Sequence, residues 1–150
     1  MLKAAIAGDA LKSALYRVRP YELEKGSSDR TMKKYLDAVS KAMENGKSLV
    51  PVLEEAANEF GSIPREDVPN PLVLIFGEIY VRNDPFANSY TDLHIEALGG
   101  EVLHTPLMEW FEYVNYSFVN KSKDRKKLID LIKGHSRTKL MKKLRSRLEA

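Results

Sequence analysis

Apolar residues recur every three to four positions through the first sixty residues, gather into two short continuous runs, and then return to helical spacing. Leu2, Ala5, Ile6, Leu11, Ala14 and Leu15 trace one stripe, which "RVRPYE" ends at Pro20. Met32, Leu36, Val39 and Met43 trace a second, with Ser28 as its expected N-cap and Asn45-Gly46 as its stop. Leu49, Val52, Leu53, Ala56, Ala57 and Phe60 make a third, with Pro51 in the first turn and Gly61 past the end. These three helices carry no chemical motif. Their expected work is packing.

"SIPREDVPNP" changes the regime. Leu72 to Phe76 are apolar without alternation, as in a parallel strand covered on both faces. Asp84 then offers an N-cap and Pro85 a first helical position, with Phe86, Tyr90, Leu93 and Ala97 on one face and Gly99-Gly100 as the close. "EVLHTP" supplies a second short strand. "LMEWFEYVNY" predicts a further helix with Leu107, Trp110, Phe111 and Val114 inward, although a strand also fits. Beyond Lys123 the apolar positions Leu128, Ile129, Ile132, Leu140, Met141, Leu144 and Leu148 are helical, and Gly134-His135-Ser136 leaves one helix or two open.

The expected class is α/β: a helical segment over 1–63, a Rossmann-like or flavodoxin-like βαβ segment over 64–120, and a basic helical tail over 121–150. Two strands make a poor sheet, because a buried parallel strand needs neighbours on both edges. The reading is therefore a compact piece of something larger, with a hidden strand or pairing with a second copy as the other routes.

Charge sharpens the division. The tail holds twelve Lys or Arg against three acids, and the first 120 residues hold twelve against eighteen. A solvated helix docked on the acidic body accounts for such a tail, so neither nucleic acid nor membrane is expected as its partner. Cysteine is absent, which removes disulfides, thiolate nucleophiles and Cys-ligated clusters, and fits a cytoplasmic setting. No apolar run is long enough to cross a bilayer.

The candidate chemistry lies in "GEIYVRNDPFAN". Ligands of open α/β folds gather beyond the carboxyl ends of strands, where Glu78 and Arg82 fall. The plainer reading has Asp84 capping the helix while Glu78 and Arg82 pair or bind loop amides. No glycine-rich phosphate loop is present. His94, His104 and His135 lack metal-ligand spacing, so no metal is expected. His104, at the end of the second strand, would lie beside the GEIYVR loop if the strands are parallel neighbours. It is a conceivable general base, with a structural histidine as the plainer alternative. Trp110 reads as core, and Tyr113 is left open.

"GEIYVRNDPFAN", followed by "LHIEALGGEV" and "PLMEWFEYVNY" and preceded by "ALYRVRPYELEKGSSDR", resembles the CoA-substrate-specific enzyme activase-related family, whose relatives include the activator and D-component of 2-hydroxyglutaryl-CoA dehydratase. The resemblance implies a large cytoplasmic parent of anaerobic metabolism. In it, ATP hydrolysis drives an electron from an iron–sulfur activator to a 2-hydroxyacyl-CoA dehydratase. It also implies flavodoxin-like lobes, with the GE loop facing a cleft between them. It raises Glu78, Tyr80, Arg82 and Asn88 as cleft residues, and Gly77, His104 and Tyr113 are the further candidates for that cleft. The family's ATP and cluster would be bound elsewhere, since this chain has no cysteine and no phosphate loop. The expectation is an internal module, not catalytic alone, whose partners are the rest of the parent or dehydratase-like subunits. A scaffold module that docks neighbouring domains or a second copy is the alternative.

Overall fold

A computed structural model of the protein describes residues 2–124 and 128–146, with side chains described for 2–121 and 134–143. Three helices form its first half: α1 (Leu2–Val18), continued by a 3-10 turn over Arg19–Tyr21, α2 (Ser27–Glu44) and α3 (Val50–Ser62). Ala7, Leu11, Leu15 and Val18 of α1 meet Tyr35, Val39 and Ala42 of α2 and Leu53, Ala56 and Phe60 of α3 in one core. Burial of this apolar surface is the main force holding the three helices together.

The second stripe is rotated from its expected position. Buried residues on α2 are Ser28, Thr31, Tyr35, Val39 and Ala42, whereas Leu36 and Met43 are exposed. Aromatic Tyr35 takes the inward place because its ring packs in the core while its hydroxyl donates to Glu59 at 2.9 Å. Ser28 is not the N-cap. Gly26 is, and the backbone N–H groups of Gly26 and Ser28 both donate to Glu22, at 2.6 and 2.8 Å. A carboxylate from outside the helix thus satisfies the orphan amides of the first turn.

The connector is tied to this bundle. Leu23 donates to the carbonyl of Pro64 at 3.0 Å, and Glu66 to that of Tyr21 at 2.9 Å. Then come β1 (Leu72–Ile75), α4 (Ile79–Asn83), α5 (Thr91–Ala97), β2 (Glu101–His104), α6 (Leu107–Asp124) and α7 (Leu128–Ser146). The two strands pair in parallel, Val73 opposite Val102 and Ile75 opposite His104. The protein is mostly helical around this small parallel sheet.

The expected two-sided cover of the first strand is not observed. Val73, Ile75 and buried Val102 lie on the face packed by α1 and α5, but Leu72, Leu74, Phe76 and Leu103 are 64, 51, 76 and 48% exposed. One face of the sheet is bare.

The crossover also differs. A single helix from Asp84 is replaced by α4, a run of turns and α5, and Phe86 is 85% exposed rather than inward. Asp84 ends α4, and its carboxylate accepts from Ala87 N–H at 2.7 Å, which is turn chemistry rather than a helix cap. On α6 the inward residues are Met108, Asn115 and Val119, whereas Trp110 and Val114 are each 43% exposed. Asp9 of α1 fixes the start of α6, accepting from the N–H groups of Leu107 and Met108 at 3.0 and 2.9 Å.

The tail runs as one helix through Gly134 among the described residues. A Cβ at Gly134 would stand 2.3 Å from Val119 Cγ2, so glycine is what lets α6 and α7 cross this closely. Leu140 is 55% exposed, and Arg137, Lys139, Lys142 and Lys143 are exposed as well. The side chains of Lys123, Arg125, Lys126, Lys127, Leu128, Ile129, Ile132, Lys133, Leu144, Arg145, Arg147 and Leu148 lie outside the described set.

Candidate functional site

Phe76 delivers the chain to Gly77, whose φ of +138° is a conformation L side chains rarely adopt. The sharp turn starts α4 at once. Glu78 is its N-cap, accepting from Val81 N–H at 2.8 Å. The loop amides of Val81, Tyr80 and Ile79, assisted by Arg82, hold the Glu78 carboxyl below its usual range. Arg82 does not ion-pair with it. Its guanidinium donates to the hydroxyl of Thr105, just past β2.

The parallel pairing brings His104 to the GEIYVR segment. His104 Nε2 lies 3.0 Å from the carbonyl of Arg82, and Nδ1 lies 3.0 Å from that of Thr105. Asn88 Nδ2 donates to the same Arg82 carbonyl at 3.2 Å. Asn88 and His104 therefore converge on the backbone oxygen of Arg82. Asn88 has a second task, accepting from Thr91 N–H at 3.3 Å beside Ser89 and Tyr90, both at φ +56°. Two consecutive left-handed residues cost energy, and the Asn88 bonds offset part of it.

The structure adds partners from α1. Tyr16 stacks on His104 with ring centroids 5.9 Å apart, and its hydroxyl donates to Asp92 at 3.2 Å. Lys12 lies 5.7 Å over the Tyr16 ring and donates to Asn83 at 3.3 Å. Arg19 donates to both Glu96 oxygens, at 2.7 and 2.9 Å, to Asp92 at 3.1 Å and to Asp29 at 3.1 Å. Lys12, Tyr16 and Arg19 stand at i, i+4 and i+7, and Asp92 and Glu96 at i and i+4. That matched polar spacing was the signal in the sequence for one helix facing another.

Burial sets the tone of this junction. It draws the Lys12 ammonium below its usual value, with Asp92 and Asp9 acting in the opposite sense. It pushes the Tyr16 phenol up, and Asp92 adds to that. His104 is lowered first by burial and then by Lys12 and Arg82, while the two carbonyls work the other way. Both of its ring nitrogens already face carbonyl oxygens. The neutral ring donates its single N–H to one of them and turns its lone pair toward the other, so the ring bridges the end of β2 and the GEIYVR segment.

The remaining candidates disperse. Gly77, Glu78 and Tyr80 are exposed at the rim of the bare sheet face, and Tyr113 is on α6, lining a concavity shared with α7. Among the described residues, concavities lie along α6 and α7, at the connector and beside Arg19, and Glu78, Tyr80, Arg82 and His104 line none of these. Among the described residues no group of three or more His, Asp or Glu is placed to hold a metal ion, and no helix is long and apolar enough to cross a membrane. The sequence holds no cysteine, so it offers no thiolate ligands for an iron–sulfur cluster. No protein family, curated protein or solved structure matches the chain.

Proposed function

We propose that this chain is a docking module of an acyl-CoA dehydratase activase-like assembly, in which its sheet is one part of a flavodoxin-like lobe completed by a partner. The bare sheet face carries the reading. Parallel sheets are almost always covered on both sides, and a contiguous apolar patch of this kind marks an interaction surface. Leu72, Leu74, Phe76 and Leu103 supply that patch, and Phe76 leads directly into Gly77 and Glu78. A partner seated there would meet the GEIYVR loop at its margin. The loop would then shape a cleft between the two bodies, with Tyr80 as its exposed aromatic.

The partner in this reading is the rest of a cytoplasmic parent protein or a dehydratase-like subunit, which would bring the nucleotide and the cluster. The chain contributes shape and contact, and no turnover is expected from it alone. The family setting rests on the GEIYVR-DPFAN resemblance; the docking role rests on the exposed face.

Co-expression with dehydratase-like components tests it. Leu74→Lys with Phe76→Lys should abolish co-purification and leave the melting temperature of the isolated chain unchanged. A complex that survives both substitutions would overturn the reading. The same face offers a second one, a pair of identical copies, because a patch on a two-fold axis is its own complement. Sedimentation of the isolated chain separates the two: a dimer lost in the Lys variant favours self-pairing, and a monomer removes it.

A further inference from the structure

We infer that the groove between α6 and α7 is a binding site for a flat aromatic molecule carrying a single hydrogen-bond donor. This site is separate from the sheet face and does not depend on the docking reading. Its centre is Asn115, only 6% exposed. The Asn115 amide nitrogen donates to the carbonyl of Gly134 at 3.2 Å and to the hydroxyl of Thr138 at 2.7 Å. Its carbonyl oxygen is buried and accepts nothing. A helix crossing that needed only a register pin would be served by the nitrogen. The oxygen is a stranded acceptor, and buried acceptors are nearly always given a donor.

The surroundings show how a donor reaches it. Asn115 and Met141 line both a concavity of about 570 Å³ and a second of about 370 Å³. Met141 therefore stands at the partition between the two, and an unbranched thioether chain turns aside at little cost. In the proposed complex Met141 turns aside and the ring's donor meets the Asn115 oxygen, since Asn115 itself lines both spaces. The larger space falls within the roughly 300–1,000 Å³ of small-molecule sites. Tyr113 and Tyr116, each 66% exposed, supply aromatic surface on one side, and Val119 an apolar floor. Since Val119 also abuts Gly134, the helix spacing is fixed beside the groove, which is thus formed in advance. Glu109, Glu112, His135, Thr138 and Lys142 also line the space, but its surface is mainly apolar, and with one buried acceptor it suits an aromatic ring with one N–H or O–H.

Indole and 1-methylindole, which differ in that donor, are the probes. In a ¹⁵N NMR titration of the 150-residue chain, indole should shift resonances of α6 and α7 around Asn115 in a saturable way. 1-Methylindole should bind about tenfold more weakly, the usual weight of one hydrogen bond to a buried group. Tyr116→Ala, at an exposed position, should weaken both. Equal affinity for the two probes, saturable shifts centred away from α6 and α7, or no saturable shift with indole would each overturn the inference.

Discussion

Arg19 grips Glu96 through both carboxylate oxygens, at 2.7 and 2.9 Å, with the two side chains 11% and 9% exposed. This contact joins the end of α1 to α5 and so couples the helical half of the chain to the strand-bearing half. Burial pushes the Glu96 carboxyl up, and Arg19 opposes that. Arg19→Ala strands Glu96 and leaves Asp92 with the Tyr16 hydroxyl alone. The expected cost is about 3 kcal/mol in urea unfolding, as when one member of a buried pair is removed. Arg19→Lys should recover only part of it, because an ammonium cannot span both oxygens.

His104 makes stability depend on pH. Its folded pKa lies below the unfolded value, so the unfolded chain binds a proton the folded chain refuses. Stability is full above about pH 6.5 and declines as pH falls from there toward the folded value. Replacement by Gln should flatten the melting temperature of the isolated chain over that window relative to the native protein. An equal slope in both would show that His104 does not carry the effect.

Gly134 sets the distance between α6 and α7. Gly134→Ala places a methyl against Val119, and overpacking of this kind costs about 1–3 kcal/mol. The gain in helix propensity, roughly 1 kcal/mol, offsets part of it. Combining it with Val119→Ala should destabilise by less than the sum of the two single changes. Thermal unfolding of the four proteins in the cycle gives the answer.

Glu78 acts locally. Its side chain is exposed and caps the short α4. Glu78→Ala should speed hydrogen exchange at the Val81 amide, which loses its acceptor, and leave exchange in β1 and β2 as before. Protection that also falls in the strands would show that the cap supports the sheet.

The first half of the chain was easiest to read, because a stripe with a period near 3.6 has one physical outcome. Even there the reading favoured Leu36 and Met43 over Tyr35 and Ala42; aliphatic residues drew the eye, while the buried aromatic brought its own hydrogen bond. Parallel pairing and the meeting of His104 with the GEIYVR segment followed from strand order. The crossover did not, since Asp84-Pro85 is equally good at starting a helix and at turning a loop, and the bonds of Asn88 decide between them. Exposure of Leu72, Leu74 and Phe76 was hidden because an apolar run records what a strand can tolerate on each side, not what is present there. Gly134 looked like a break, for a missing side chain reads the same whether a helix ends or is crossed. Lys12, Tyr16 and Arg19 were passed over since each is ordinary alone, and only their pairing with Asp92 and Glu96 gives them a role.

The first helix serves two masters. Its Leu11 and Leu15 belong to the bundle, its Tyr16 meets the end of the second strand, and its Asp9 launches α6. A protease cutting the connector between Pro64 and Pro71 would therefore yield two pieces that stay clasped, like a hinge with its pin in place. Dilution alone should not part them, and once they are drawn apart the second piece, which leans on α1, should lose its shape while the three-helix piece keeps its core.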